Sequence, residues 1–170
     1  MTLDEHPLKN DPVFRACIEA ALKSPCQKLR FGAALVYEDG FTLRVSRTEC
    51  NRPVEGLEEW CTPQCIRFSI PSRTESMVGA CGHAEERLLW SALRRGDLSP
   101  TDHLYVTGVD VDGNPGVRKL PEFTCIRCAV AIAYSGVASV NFVYDGRWVR
   151  RTPAQALASA RQYASGTKKV

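Results

Sequence analysis

Apolar residues recur at intervals of three and four along several parts of the chain, which is the spacing that predicts amphipathic helices. The predicted helices cover residues 11–24, 83–95, 125–136 and 152–164. Asp11 and Pro12 are residue types preferred at a helix start, and Gly96 and Gly136 are typical residues just after a helix end. Four helices are therefore predicted, with room for strands between them.

Runs of apolar and β-branched residues between these helices predict strands. They cover residues 30–37, 41–47, 103–109 and 139–144. The first two runs are joined at Asp39-Gly40, a dipeptide typical of a tight hairpin turn. The order of elements is α-β-β-α-β-α-β-α, and a helix between successive strands favours a right-handed crossover with parallel pairing there. We therefore expect an α/β protein with a three-layer α-β-α architecture, a mixed sheet with helices on both faces.

Two stretches of the chain, at about residues 48–80 and 108–124, show no convincing periodicity. Irregular connections of this length are usually functional or held in place by local contacts. The chain has 170 residues, of which 44% are hydrophobic, and this is enough for one sizeable core. A single domain over residues 1–170, with two insert-like loops, is the expected organisation.

Charge and hydropathy limit the classes of partner. The formal net charge is +3, and the basic residues are scattered, so nucleic-acid binding is permitted but not indicated. No window approaches the roughly 18 apolar residues of a membrane span, and no signal peptide is visible at the N terminus. We expect a soluble, cytoplasmic protein without a membrane partner. Its eight cysteines are then expected to serve metal binding, catalysis or packing rather than disulfides.

One histidine and two cysteines have the chemistry of a zinc site. His83 begins the second predicted helix, and Cys125 and Cys128 stand three positions apart at the start of the third. Three ligands of this kind leave the fourth tetrahedral position of zinc open for water. Glu85 lies two residues after His83, roughly 200° around a regular helix, so it faces the same site only if His83 sits at the helix entry. In that case Glu85 is positioned near the metal without binding it.

These residues resemble a known family. The spacing H-x-E followed downstream by C-x-x-C is similar to the signature of the zinc-dependent cytidine and deoxycytidylate deaminase superfamily. Four further segments resemble strands and a helix of that family in the same order, over roughly residues 11 to 145: FGAALV, RTECN, HLYVT and CAVAIAYSGVASVNFVY.

The resemblance implies a cytidine deaminase-like fold, a Zn²⁺ cofactor and a role for each residue. His83, Cys125 and Cys128 match the zinc ligands, Glu85 the proton shuttle and Asn51 the substrate-binding asparagine. The implied activity is hydrolytic deamination of an amino-bearing nucleobase, a hydrolase reaction on the C–N bond of a cyclic amidine. A cytidine or deoxycytidine nucleoside or nucleotide is the expected small-molecule substrate, and the protein is expected to form a homo-oligomer.

The chain departs from the family pattern next to the proposed site. Seventeen residues, GVDVDGNPGVRKLPEFT, separate Thr107 from Cys125, and Phe123-Thr124 replaces the usual proline before the first cysteine. The substrate is therefore the least determined part of the prediction.

Several alternatives remain open at this point. The base could lie within RNA or DNA, or it could be a purine base or another heterocycle, and Arg67, Arg73 and Arg118 near the two loops could contact a phosphate. The metal could instead support a non-catalytic zinc-stabilised module. A C-x-x-C pair at a helix start is also typical of thiol redox proteins.

A second group of cysteines lies in and around the first irregular stretch. Cys50, Cys61, Cys65 and Cys81 could form a closed structural zinc site, with Cys26 as a substitute ligand. Alternatively they are buried thiols in a cysteine-rich loop.

Overall fold

The computed structural model describes residues 1–69, 80–115 and 124–166. Its helices are α1 (Pro12–Leu22), α2 (Ala84–Arg95), α3 (Ile126–Ser135) and α4 (Pro153–Gly166). Its strands are β1 (Arg30–Asp39), β2 (Thr42–Cys50), β3 (Arg52–Pro53), β4 (Cys81–Gly82), β5 (His103–Val109), β6 (Ser139–Tyr144) and β7 (Arg147–Arg151). The four predicted helices and the four predicted strands are all present, with ends that differ by a few residues.

Five strands form a mixed sheet in the order β2-β1-β5-β6-β7. The predicted parallel pairing is present between β5 and β6, whereas β1 runs antiparallel to both β2 and β5. β2 and β5 therefore point the same way without pairing, because β1 lies between them. The predicted parallel pairing of β2 with β5, across the crossover that contains α2, is wrong, because β1 lies between these two strands in the sheet.

Helices cover both faces of this sheet, as predicted. On one face α1 packs on alternate residues of β1 and β5, in a cluster of Val13, Cys17, Ala34, Val36 and Tyr105. On the other face α2, α3 and α4 share a larger core, whose members include Ala33, Leu35, Leu88, Leu104, Ile132, Phe142 and Ala156. Because successive side chains of β1 and β5 point to opposite faces of the sheet, helices pack on both faces and the protein has three layers.

The strand β7 is absent from the sequence prediction. Tyr144 pairs with Arg147, so Asp145 and Gly146 form a two-residue turn, with φ of 50° and 70°. An Asp-Gly pair after a buried strand is a hairpin signal that the periodicity analysis overlooked. The strand itself contains three arginines in RWVRR and lies at the sheet edge, where a charged side chain prevents further pairing and also hides the usual apolar alternation.

The first hairpin is longer than predicted. Its turn consists of Gly40 and Phe41, one residue later than expected, because Asp39 pairs directly with Thr42. Strand β2 continues to Cys50, beyond the predicted end at residue 47, and its register shifts once opposite Leu35 and Val36. Because many of its residues are polar, a hydrophobicity pattern does not show where the strand ends.

Part of the first irregular stretch is organised by local structure. Strands β3 and β4 form a separate two-stranded sheet, and short 3-10 helices cover Glu58–Cys61 and Ile66–Phe68. Residues 70–79 and 116–123, which include Arg73 and Arg118 from the sequence predictions, lie outside the described residues. Among the described residues, no helix combines the length and the apolar character needed to cross a membrane.

Candidate metal centre

The N-terminal ends of α2 and α3 meet on the same side of the sheet. His83 is the N-cap residue of α2, with extended backbone angles (φ −71°, ψ 154°). Cys125 is the N-cap residue of α3, with φ −75° and ψ 165°, and Cys128 follows in the first turn. The two helices pack against each other, so the residues at their first turns are brought together. The expected position of His83 at the helix entry is therefore confirmed.

The side chains of these three residues form a compact group. The Nδ1 atom of His83 lies 3.2 Å from Sγ of Cys128 and 3.4 Å from Sγ of Cys125. The three ligand atoms all lie within 4.8 Å of one another. Bond lengths of about 2.0 Å to nitrogen and 2.3 Å to sulfur around a tetrahedral zinc place the two atoms about 3.5 Å apart. His83, Cys125 and Cys128 could therefore hold a metal ion with little rearrangement.

The three side chains of the group interact electrostatically with one another. A hydrogen bond from the Cys128 thiol, assisted by one from His83, lowers the pKa of Cys125 to about 3. The hydrogen bond between Cys128 and Cys125 in turn raises the pKa of Cys128. The hydrogen bond between His83 and Cys125 raises the pKa of His83, although burial acts in the opposite direction. A negative sulfur atom thus lies beside an imidazole nitrogen, and both are ligands that zinc and related metals prefer.

Glu85 is buried close to this group without belonging to it. It occupies the first turn of α2, and only 4% of its surface is exposed. Its negative charge contributes to the raised pKa values of His83 and Cys128, so it lies within electrostatic reach of both. The compact ligand group contains no oxygen of Glu85, and Glu85 forms none of the ion pairs among the described residues. A buried carboxylate without a cationic partner beside a metal site is available for proton transfer.

An ion pair that the sequence analysis missed joins the two helices. The guanidinium of Arg127 binds both carboxylate oxygens of Glu86, at 3.1 Å from Nε and 2.6 Å from Nη2. Such a two-pronged contact fixes direction as well as distance. Arg127 stands between the two cysteines in the sequence CIRC, and this position is the sequence feature that could have drawn attention to it. The pair holds the first turns of α2 and α3 together beside His83.

The hydroxyl of Thr124 is a second feature that the sequence analysis did not single out. Thr124 directly precedes Cys125, is only 6% exposed, and its Oγ1 has no hydrogen-bond partner among the described residues. Leaving a buried hydroxyl unpaired costs about 1–3 kcal/mol. The hydroxyl is thus a polar group that a bound molecule could satisfy.

Asn51 is buried at the end of β2 and its side chain binds the chain itself. Its Oδ1 accepts hydrogen bonds from the Phe31 amide (2.7 Å) and from Oγ of Ser24 (2.9 Å), and its Nδ2 donates to the Leu29 carbonyl (3.0 Å). These bonds connect β2 to the start of β1. Only the second hydrogen of Nδ2 is left for a ligand, and the substrate-binding role of Asn51 stays a prediction.

Five other cysteines lie in or near the first irregular stretch. The sulfur atoms of Cys61 and Cys81 are 3.8 Å apart, and the thiols of Cys65 and Cys26 are close enough to contribute to the raised pKa of both. Cys50 lies at the end of β2, where its sulfur accepts a hydrogen bond from Nη2 of Arg52 (3.4 Å).

No protein-family model matches the chain, and no curated protein sequence matches it.

Proposed function

We propose that the protein is a zinc-dependent hydrolase that deaminates an amino-bearing nucleobase, with a cytidine or deoxycytidine nucleoside or nucleotide as substrate. The observation that carries the proposal is the combination of one imidazole and two thiols in reach of a single metal ion with the buried carboxylate of Glu85, which has no ion-pair partner in the described part of the chain. A purely structural zinc site has four protein ligands and needs no such carboxylate.

Zinc is the metal that this donor set favours. Imidazole together with thiolate suits zinc, and three protein ligands leave a fourth position for water or substrate. Zinc bound there supplies Lewis-acid activation of a water molecule near neutral pH. The residues of the chain then have to accept, carry and deliver the protons.

Glu85 has the position required for these proton transfers. Its carboxylate accepts the proton that the water loses and delivers it to the ring nitrogen of the base, while the water oxygen adds to the amine-bearing carbon. Glu85 next takes the remaining hydroxyl proton and passes it to the amino group. The C–N bond breaks, and ammonia leaves. The burial of Glu85 keeps its proton away from bulk water between these steps.

Two polar side chains are candidates for holding the base and the sugar. The hydroxyl of Thr124, which adjoins Cys125, has no hydrogen-bond partner among the described residues. Asn51 is the residue that the family resemblance assigns to the sugar.

The deciding experiment replaces Glu85 by glutamine. Glu85→Gln keeps the size of the side chain and removes its ability to carry a proton, so turnover should fall by a factor on the order of 10² to 10⁴. Zinc content and melting temperature should stay close to those of the wild type. Glu19→Gln is the control, because it removes one exposed carboxylate from α1, on the opposite face of the sheet. Full turnover by the Glu85→Gln protein would refute the assignment.

The substrate is found with a panel assayed for ammonia release: cytidine, deoxycytidine, their monophosphates, cytosine, guanine and adenosine. We expect activity on a pyrimidine nucleoside or nucleotide. Activity confined to guanine or adenosine would show that the substrate contains a purine rather than a pyrimidine. No ammonia from any member would contradict a free nucleoside or nucleotide as substrate.

A thiol redox activity is the competing function, since a lowered cysteine pKa in a C-x-x-C pair is also typical of redox proteins. Cys125→Ala and Cys128→Ala distinguish the two. We expect each variant to lose the zinc of this centre. Unchanged zinc content, with Cys125 and Cys128 cycling through a disulfide in the wild type, would favour the redox function.

A further inference from the structure

A second group of cysteines surrounds the connection between α1 and β1. Cys26 lies in that connection, Cys61 ends the first 3-10 helix, Cys65 precedes the second, and Cys81 belongs to β4. These four residues come from three separate parts of the chain, and none of them lies in the His83 centre. Their approach to one another is therefore a product of the fold.

The side chain of Gln27 holds two of these parts together. Its Nε2 donates hydrogen bonds to the carbonyls of Cys61 (3.2 Å) and Pro63 (3.1 Å), and its Oε1 accepts from the amide of Cys65 (3.0 Å). The residue directly after Cys26 thus binds the loop CTPQC at both ends. This arrangement ties the chain next to Cys26 to the loop that contains Cys61 and Cys65.

The pairing of β3 with β4 brings the fourth cysteine to the same place. Cys81 pairs with Pro53, and the amide of Val54 binds the carbonyl of Ala80 at 2.8 Å. The sulfur of Cys81 then lies 3.8 Å from that of Cys61. Two sulfur ligands on one tetrahedral zinc, each at about 2.3 Å, are about 3.8 Å apart. The separation fits two ligands of one metal and is far longer than the roughly 2.05 Å of a disulfide bond.

We propose that Cys26, Cys61, Cys65 and Cys81 form a closed structural zinc site. Four thiolates fill the tetrahedron and leave no position for water, which is the arrangement of structural rather than catalytic zinc. No three of these sulfur atoms lie within 4.8 Å of one another among the described residues, unlike the ligands of the His83 centre. Metal binding therefore requires the outlying thiols to move inward.

The choice of Cys26 rather than Cys50 follows from the hydrogen bonds around each residue. Gln27, directly after Cys26, binds the carbonyl of Cys61 and the amide of Cys65. The sulfur of Cys50 instead accepts a hydrogen bond from Nη2 of Arg52 (3.4 Å) at the end of β2. The four-cysteine set read from the sequence thus changes in one member.

This site supports the metal centre through a short piece of chain. Cys81 is followed by Gly82 and then by His83, so a metal held by Cys81 fixes the backbone that leads into α2. The site also joins the connection before β1 to the loop after β3. Its role is to hold the entrance of α2 in place, and it is independent of which reaction the His83 centre performs.

Metal analysis of the purified full-length protein tests the proposal. The wild type should contain about two zinc ions per chain, because each site binds one. Cys26→Ser and Cys65→Ser should each lower the content to about one, and Cys50→Ser is the matched control that should keep about two. The wild-type value requires no variant to fold. A wild-type zinc content that stays the same in Cys26→Ser and Cys65→Ser, or the same loss in Cys50→Ser as in Cys26→Ser, would overturn the proposed ligand set.

X-ray absorption on the Cys128→Ser protein examines the second site alone. The zinc that remains should have about four sulfur neighbours at about 2.3 Å. Nitrogen or oxygen neighbours, iron in place of zinc, or a Cys61–Cys81 disulfide in protein purified without reductant would overturn the assignment. If Cys128→Ser instead keeps both zinc ions, the His83 centre is refuted and the four-cysteine site is unaffected, so the two proposals fail separately.

Discussion

The imidazole of His6 is buried although it lies near the start of the chain. Its ring stacks on Phe14 of α1, with centroids 4.4 Å apart and an angle of 12° between the planes, and its Nδ1 accepts a hydrogen bond from the Leu8 amide at 3.1 Å. Burial lowers the pKa of His6 below its ordinary value. Protonation would also destroy the acceptor at Nδ1, so the neutral form belongs to the folded state.

This arrangement predicts a loss of stability in mild acid. Since the folded pKa is below the unfolded value of about 6.5, the contribution of His6 is complete above pH 6.5 and is lost as the pH falls through the folded pKa. The slope is at most about 1.4 kcal/mol per pH unit for one proton. His6→Phe keeps the stacking and removes the titration. Between pH 7 and pH 5 the melting temperature should therefore decrease less for the variant than for the wild type. An equal decrease in both proteins would contradict the prediction.

At the scale of elements, the packing of α1 on β1 depends on a glycine. A Cβ atom at Gly32 would lie 1.9 Å from the carbonyl oxygen of Cys17 and 2.7 Å from the amide nitrogen of Ala21, both in α1. The helix backbone therefore rests directly on the strand, at a distance that only glycine permits.

Gly32→Ala should destabilise the fold by at least about 1–3 kcal/mol, the usual cost of overpacking a core, because a helix backbone cannot yield as a side chain can. Gly82→Ala is the comparison: its added Cβ meets Cγ of the flexible Arg87 side chain at 3.0 Å. Urea unfolding of the two variants measures the difference. Equal stabilities for both would show that α1 can move away from β1 without cost.

The two helices of the metal centre illustrate the same dependence on contact between elements. Each helix begins with a residue of the centre, and the Glu86–Arg127 pair holds their first turns together. The orientation of α2 relative to α3 thus determines the distance between His83 and the cysteines.

At the scale of the whole molecule, the two proposed zinc sites join parts of the chain that are far apart in sequence. A metal that binds the folded state and not the unfolded one adds its binding free energy to the stability of the fold. His83 of one site follows Cys81 of the other by two residues, so their stabilising effects act on the same region.

Removal of zinc should therefore lower the melting temperature. In a protein of this size each kcal/mol of stability corresponds to about 2–4 °C, so a loss of about 3 kcal/mol shifts the midpoint by about 6–12 °C. Calorimetry before and after chelation measures the shift, and zinc added back should reverse it. An unchanged midpoint after complete removal of zinc would mean that neither site contributes to folding.

Much of the fold could be predicted because it is encoded locally. The periodicities of the helices, the continuously buried runs of β5 and β6 and the Asp11 cap are properties of neighbouring residues, and each is present. The position of His83 at a helix entry was also predictable from its place before an amphipathic segment. Strand β7 was missed because its arginines conceal a half-exposed edge strand.

The sequence by itself determined which side chains with metal chemistry the chain contains and that His83, Cys125 and Cys128 stand at helix starts. Only the tertiary structure decided that these starts meet, since His83 and Cys128 are 45 positions apart and their 3.2 Å contact depends on how α2 and α3 pack on one sheet. It likewise placed the sulfur of Cys81 3.8 Å from that of Cys61, which is 20 positions away. Spacing along the chain limits contacts within one element, whereas contacts between elements are set by the packing of their apolar faces.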